Sequence, residues 1–318
     1  MGKDDHGLRI VSLLPGATEI VTALGLTDQL VGISAECDTP SEVMDRPRIS
    51  LTALDTQDVP PATIDNRVRD RLARGEPLFQ ADSAALKALR PDLILSQSLC
   101  DVCAATPDTL TAAAVGDAAV LALDGRDLDG LLTDIDRVAT AAGCPARGQA
   151  MIAGLTARRQ AAQWTPARRP RVLAVEWPEP LFIGGHWIPH LIEEAGGQTL
   201  GEPGAHSVTV DWARIRAFAP DVILLLPCGM DVRQAAATLP TLTRRPGWSS
   251  LPAVRRGAVY LLDGNRHFSR PGPAPFTGMA IVHHILTGAG RDPAPGQWRR
   301  AGRSELTAVP QASGATDW

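Results

Sequence analysis

The chain has 318 residues, 44% hydrophobic and 21% charged, with a formal net charge of -4. These are ordinary values for a soluble globular chain long enough for two domains, and they lack the basic balance that a nucleic-acid partner requires. Five cysteines, an odd count in a chain of this length, point to reduced thiols rather than a disulfide framework.

The start, with Lys3, Asp4, Asp5 and His6, is acidic rather than basic. The apolar run from Ile10 to Leu14 is cut by Pro15, Gly16 and then Glu19, too short and wrongly flanked for a secretory signal or a membrane span. The expectation is a cytoplasmic protein. Arg9 to Leu14 reads as the first strand and Thr18 to Leu24 as a helix ended by Gly25, with a second strand from Leu30 to Ser34. The polar stretch from Leu51 to Gln80, with a charged helix over Ile64 to Ala73, reads as an insertion. Further strands are expected at Leu93 to Ser96 and Ala119 to Leu123. From Leu128 to Gln163 the pattern is helical, broken near Gly143, Cys144 and Pro145. A second strand series follows at Val172 to Glu176, Val222 to Leu226 and Val259 to Leu262, with helices near His190 to Ala195 and Thr277 to Leu286.

Leu86 to Leu95 and Ile215 to Leu224 write one helix-to-strand passage twice, with Pro91-Asp92 and Pro220-Asp221 in the same register. Proline ends the helix because it lacks the N–H a continuing turn needs, and the apolar run after it suits a buried parallel strand. The expected fold is α/β: two Rossmann-like lobes with mainly parallel sheets, a long connecting helix, and a ligand cleft between the lobes. The boundaries are 8–125 for the first lobe, 126–168 for the connector and 169–290 for the second lobe. The stretch 291–318, rich in Pro, Gly, Ala and Ser, reads as a disordered tail.

Ligands of open α/β sheets bind at the carboxyl ends of the strands. Cys37, Cys100, Cys103 and Cys228 all follow predicted strands. Two readings stand for them: a soft-metal or iron-sulfur site with Cys-x-x-Cys spacing, or thiols packed as small apolar side chains. Gly16 and Thr18 open the first helix, whose N–H groups suit an anion. Gln97 ends a strand. Gly184 and Gly185 let backbone approach a ligand near His186 and Trp187, though Trp187 also suits packing between the lobes. Glu36, Glu176 and His267 are the candidate proton carriers, with Glu176 equally readable as a solvated loop acid. Arg266 and Arg270 follow the last strand of the second series; Arg270 suits either a bidentate clamp on a carboxylate or phosphate or a salt bridge between the lobes. The sequence contains no Gly-x-Gly-x-x-Gly, Walker loop, Gly-x-Ser-x-Gly or His-Glu-x-x-His.

Several pieces together resemble the substrate-binding proteins of ABC importers for cobalamin and iron chelates. These are Arg9 to Glu19, Glu36-Cys37-Asp38, both Pro-Asp passages and Phe268 to Gly272, spanning roughly residues 8 to 288. The resemblance implies two lobes joined by one long helix. It also implies a docking glutamate on each lobe, seven residues before the Pro of the passage, where this chain has Ala84 and Ala213. Cobalamin binders of the family stack the corrin on aromatic side chains, one of them in an Asp-Tyr-Pro turn; here the turn is Asp38-Thr39-Pro40. The expectation is therefore a cytoplasmic binding protein for a small metal chelate or corrinoid-like ligand, with no membrane partner and no functional docking on an ABC permease. The alternative is an enzyme on the same scaffold that uses a cysteine-held metal or iron-sulfur cluster to act on a small polar metabolite. A soft metal ion, an iron-sulfur cluster or a corrinoid are the cofactors these readings admit.

Overall fold

The computed structural model describes residues 7–52, 54, 59–99, 106–107, 110–290 and 294–307. The N-terminal half runs β1 (Ile10–Ser12), α1 (Pro15–Ala23), β2 (Leu30–Gly32), β3 (Ser50–Thr52), α2 (Pro61–Ala73), β4 (Phe79–Ala81), α3 (Ser83–Leu89), β5 (Leu93–Gln97), α4 (Ala112–Val115), β6 (Ala119–Leu123) and α5 (Leu128–Ala141). Then come α6 (Pro145–Ala161), β7 (Val172–Pro178), β8 (Leu181–Ile183), α7 (Trp187–Glu194), β9 (Val208–Thr209), α8 (Trp212–Phe218), β10 (Val222–Leu225) and α9 (Val232–Thr243). The chain closes with α10 (Pro252–Arg255), β11 (Val259–Leu262), α11 (Gly264–His267), α12 (Ala274–Thr287), β12 (Trp298–Arg300) and α13 (Arg303–Thr307).

The chain divides into two compact units. Of the described residues, the first unit takes those of Met1–Val59, Thr63–Ala157 and Arg270–Pro273, and the second those of Pro60–Ala62, Arg158–Ser269 and Ala274–Trp318. The first carries a four-stranded, wholly parallel sheet in the order β2-β1-β5-β6. Its core gathers Val11, Leu13, Ile49, Leu86, Ile94 and Ala114. The second sheet has the order β12-β11-β10-β7-β8-β9. Its centre, β11-β10-β7, is parallel, and the added strands β12, β8 and β9 are antiparallel. The expected parallel core is therefore present in both sheets, and the second is extended by antiparallel strands at both edges.

The two Pro-Asp passages are congruent in structure. Helices α3 and α8 each end on a residue in the left-handed region, Arg90 at φ 43° and Ala219 at φ 49°. After the Pro, Asp92 donates its N–H to the Arg9 carbonyl at 2.8 Å and accepts the Arg9 N–H on Oδ2 at 2.8 Å. Asp221 repeats this with Arg171, donating to its carbonyl at 2.8 Å and accepting its N–H at 3.1 Å. Each carboxylate thus fastens the incoming strand to the strand that opened its unit, which sets the registers Ile10 to Leu93 and Val172 to Val222.

Two expectations about boundaries are corrected. The stretch 126–168 is not one connector: α5 packs Leu128, Leu131, Ile135 and Val138 into the first unit, and only α6 carries the chain onward. The break falls at Gly143 to Pro145, as the sequence indicates. The tail is not disordered over 294–307, because β12 pairs with β11 and both Ala301 and Leu306 lie in the second core. Trp248 donates its indole N–H to the Leu306 carbonyl at 3.1 Å, which ties α13 down.

Asp221 also meets the guanidiniums of Arg171 and Arg256 at 3.1 and 3.0 Å. Burial works against its charge, but these donors prevail and hold the carboxyl at about 2. A depressed pKa stabilises the fold above the ordinary aspartate range and ceases to do so as pH falls through the folded value. Asp221→Asn is expected to lose about 1 to 2 kcal/mol in urea unfolding near neutral pH. Its difference from the wild type should shrink as the pH is lowered from about 4 toward 2.

Candidate functional site

In the first sheet the neighbours of β1 are reached in opposite directions, so the switch point lies between β1 and β5, at their carboxyl ends. The residues there are largely occupied with one another. Thr18 is fully buried; its hydroxyl bonds Ser12 Oγ at 2.9 Å and lies 3.1 Å from Cys37 Sγ. Gly16 is required by contact: a Cβ there would stand 2.0 Å from the Pro271 carbonyl oxygen. With Pro271 covering Gly16 and Thr18 turned into the core, the expected anion seat at the start of α1 is taken by the chain itself.

Arg270 is 3% exposed and belongs to the first unit with Pro271. Its guanidinium reaches Glu19 at 3.0 Å and Asp38 at 2.7 Å. Burial disfavours the charge, yet Asp38 and Glu19 outweigh it and raise the pKa above the ordinary arginine value. The expected salt bridge between lobes is thus a pair inside one unit, and the clamp already holds two carboxylates. Gln97 is buried and accepts the Leu99 N–H at 2.7 Å. Beside it the hydroxyl oxygen of Ser96 is buried with no hydrogen-bond partner among the described residues. Glu36 is exposed; partial desolvation, then Asp38, raises its carboxyl pKa.

The four-thiol proposal meets a physical obstacle at one member. Cys37 is buried, and burial pushes its thiol up, away from the thiolate that binds metal. Cys228, in the second unit, is half-buried. Cys100 and Cys103 lie outside the described residues.

In the second sheet β7 is flanked by antiparallel β8 on one side and parallel β10 on the other. Glu176 sits toward the carboxyl end of β7, and its Oε2 accepts the Gly185 N–H at 3.1 Å and the Ser207 hydroxyl at 2.6 Å. The Gly185 N–H also lies 3.2 Å from Ser207 Oγ. Burial raises the Glu176 pKa against these two donors. The backbone around it is tight: a Cβ on Gly185 would fall 2.3 Å from the Ser207 nitrogen. His186 follows at φ 51°, a strained value for a side chain, and donates its N–H to the Ala205 carbonyl at 2.6 Å. Its ring meets that of His206 edge-on at 5.3 Å. The sequence marks this loop by its two glycines, but nothing in it indicates that Ser207 and His206 come to the same place.

The remaining candidates lie in the second unit. Trp187 is buried and donates its indole N–H to the Phe268 carbonyl at 2.7 Å, so its packing is internal to the second unit. His267 is 6% exposed at the end of α11. Arg266 is exposed, and its backbone N–H is capped by Asp263 Oδ1 at 2.8 Å.

This architecture has known relatives. The profile of a family described as periplasmic binding protein matches residues 10–265. The chain belongs to the periplasmic binding protein family. No curated protein sequence matches it. Among solved structures, an ABC transporter substrate-binding protein from Listeria monocytogenes EGD-e is similar at 18% identity with a TM-score of 0.68, covering 89% of this chain and 100% of its own. A periplasmic heme-binding protein from Roseiflexus sp. RS-1 is 22% identical with a TM-score of 0.67 and coverages of 89% and 99%. A periplasmic vitamin B12 binding protein of Vibrio cholerae is 20% identical with a TM-score of 0.55 and coverages of 87% and 96%. At these identities the likeness establishes the family fold. Within that fold, Ala84 on α3 and Ala213 on α8 are both exposed, so neither position offers a charge to a partner.

Replacing Arg270 removes the cation shared by the part-buried Glu19 and the exposed Asp38. Arg270→Met is expected to destabilise the protein by about 3 kcal/mol or more in urea unfolding. Arg270→Lys should recover only part of this, since one ammonium does not reproduce a fork spanning two carboxylates. A Lys variant as stable as the wild type would contradict the two-acid role.

Proposed function

We propose that this member of the periplasmic binding protein family is a cytoplasmic binding protein for a small metal chelate or corrinoid-like ligand. The observation that carries the reading is the family match over residues 10–265, which takes in strands of both sheets and the strand ends where open α/β sheets bind ligands. Structural relatives described as heme-binding and vitamin B12 binding support the ligand class. The cytoplasmic assignment is supported by Cys37, Cys144 and Cys228, which are free thiols. No helix among the described residues is long and apolar enough to cross a membrane. Exposed Ala84 and Ala213 support a protein that does not dock on an importer, because alanine cannot answer a permease's arginines.

The test is titration of the purified protein with hemin and with cyanocobalamin, followed by visible absorption and tryptophan fluorescence. Saturable binding of one probe, at one site per chain, is the expected result; absence of binding by both overturns the ligand class. Fractionation of cells producing the full chain should find it in the cytoplasm with its thiols alkylatable. The protein should not raise the ATPase rate of a cobalamin permease in proteoliposomes. Recovery from the periplasmic fraction, or stimulation of the permease, overturns that part of the reading.

A further inference from the structure

Charge is divided unevenly between the two units. The residues of the first carry 14 Lys and Arg against 23 Asp and Glu, a net of -9, and those of the second carry 17 against 12, a net of +5. Much of the positive excess gathers on α8, the end of α9 and α10. There Arg214, Arg216, Arg244, Arg245 and Arg255 have no acid or side-chain hydrogen-bond partner among the described residues. The other arginines of the unit are engaged differently: Arg159, Arg171, Arg256 and Arg299 each hold a carboxylate. Asp221 is thereby already answered, and Asp231 is occupied in capping α9. Arg216 lies in the last turn of α8, where a helix dipole favours a cation. That dipole is worth only about half a charge, so it leaves positive charge unanswered.

A pocket of about 490 Å³ opens among these arginines, within the range of roughly 300 to 1,000 Å³ typical of small-molecule sites. Ala213, Ala217, Leu251 and Pro252 give it apolar walls, and Arg216 is its one charged wall among the described residues. Gly247 makes room for the guanidinium: a Cβ there would stand 3.1 Å from Arg216 Nε and 3.4 Å from Ser250 Oγ. Trp212, four residues before Arg216 and on the same helix face, donates its indole N–H to the Pro246 carbonyl at 2.7 Å. It also stacks on buried Trp248 at 6.4 Å, which fixes this segment against α8. The Ser250 hydroxyl, the other polar side chain of the wall, is spent on the Gly247 carbonyl at 2.6 Å. Arg216 is thus the donor left to a ligand. Ala219, also in the wall, precedes Pro220, whose carbonyl accepts the Ala253 N–H at 2.9 Å just ahead of β10 and β11. The pocket therefore lies toward the amino ends of these strands, away from the carboxyl ends where open α/β sheets bind ligands.

We propose that this pocket binds a small organic anion. The Arg216 guanidinium pairs with its carboxylate or phosphate, and its apolar body lies against Ala213, Ala217, Leu251 and Pro252. A guanidinium with no internal partner offers a planar fork of N–H donors that matches either oxyanion. The arginines around it draw anions toward the mouth of the pocket. This is a second site, separate from the strand ends invoked for the binding function above, and it stands or falls independently of that reading.

The experiment titrates the full, isotope-labelled chain with benzoate, phenyl phosphate, inorganic phosphate and benzyl alcohol at constant ionic strength, following backbone amide signals by nuclear magnetic resonance. Saturable shifts at Ala217 and Leu251 are expected with benzoate or phenyl phosphate, the tighter of the two naming the oxyanion, and none with the neutral alcohol. Arg216→Gln should weaken that binding about tenfold or more, because a charge-assisted pair is lost. Arg216→Lys should fall between the two. Ala213→Glu, which gives Arg216 an acid at i,i+3, should weaken binding as well. Both positions are exposed, so each variant should keep the wild-type spectrum away from the pocket. Binding of neither organic anion, binding unchanged in Arg216→Gln, or equal binding of the alcohol overturns the proposal. A response to inorganic phosphate alone marks an adventitious ion only and overturns it too.

Discussion

Two aspartates anchor the architecture. Asp92 and Asp221 each take the backbone N–H of the residue just before the first strand of their unit, while their own N–H returns to that residue's carbonyl. The two-way bond is made at the point where a helix has been stopped by proline and the chain must begin a strand. It sets the height at which β5 meets β1 and β10 meets β7. From that height follows the level of the strand ends, and with it the placement of Ser96 and Gln97 in one unit and of Pro227 and Cys228 in the other. A one-residue slip in either pairing would exchange the side chains between the two covered faces of these strands.

The two units use this scaffold differently. At the first sheet's switch point the polar groups are nearly all satisfied internally, with Arg270 neutralising two acids and Thr18 bridging Ser12 and Cys37. At the second sheet the hairpin β7-β8 and the loop before β9 bring an uncompensated acid, a hydroxyl and two imidazoles into one neighbourhood.

What could be read from the sequence follows from how local each signal is. The Pro-Asp passages were legible because helix stop, hook and apolar strand lie within ten residues, and β6 and β11 were legible as uninterrupted apolar runs. Strands β8 and β9 were not, since the three residues of β8 and the exposed pair of β9 carry no periodicity of their own. A salt bridge was among the readings of Arg270, but its acids, Glu19 and Asp38, could not be named because they lie more than 230 residues away in the chain. Composition misjudged the tail in the same way. Its Pro and Gly content gives no hint that Ala301 and Leu306 find a place in a distant core. Ser207 is the most telling omission, an unremarkable serine that matters only because backbone at Gly185 comes within contact of it.

The membership of Arg270–Pro273 in the first unit has a consequence for the life of the chain on the ribosome. Domains emerging N-terminus first usually fold as they appear. Here Glu19 and Asp38 are made early, yet their cation is synthesised only after the Arg158–Ser269 segment of the second unit. Until then the nascent first unit carries two uncompensated acids and an uncovered backbone at Gly16. Its completion is deferred to the closing stage of translation. For the same reason, no contiguous stretch of this sequence encodes that unit in full.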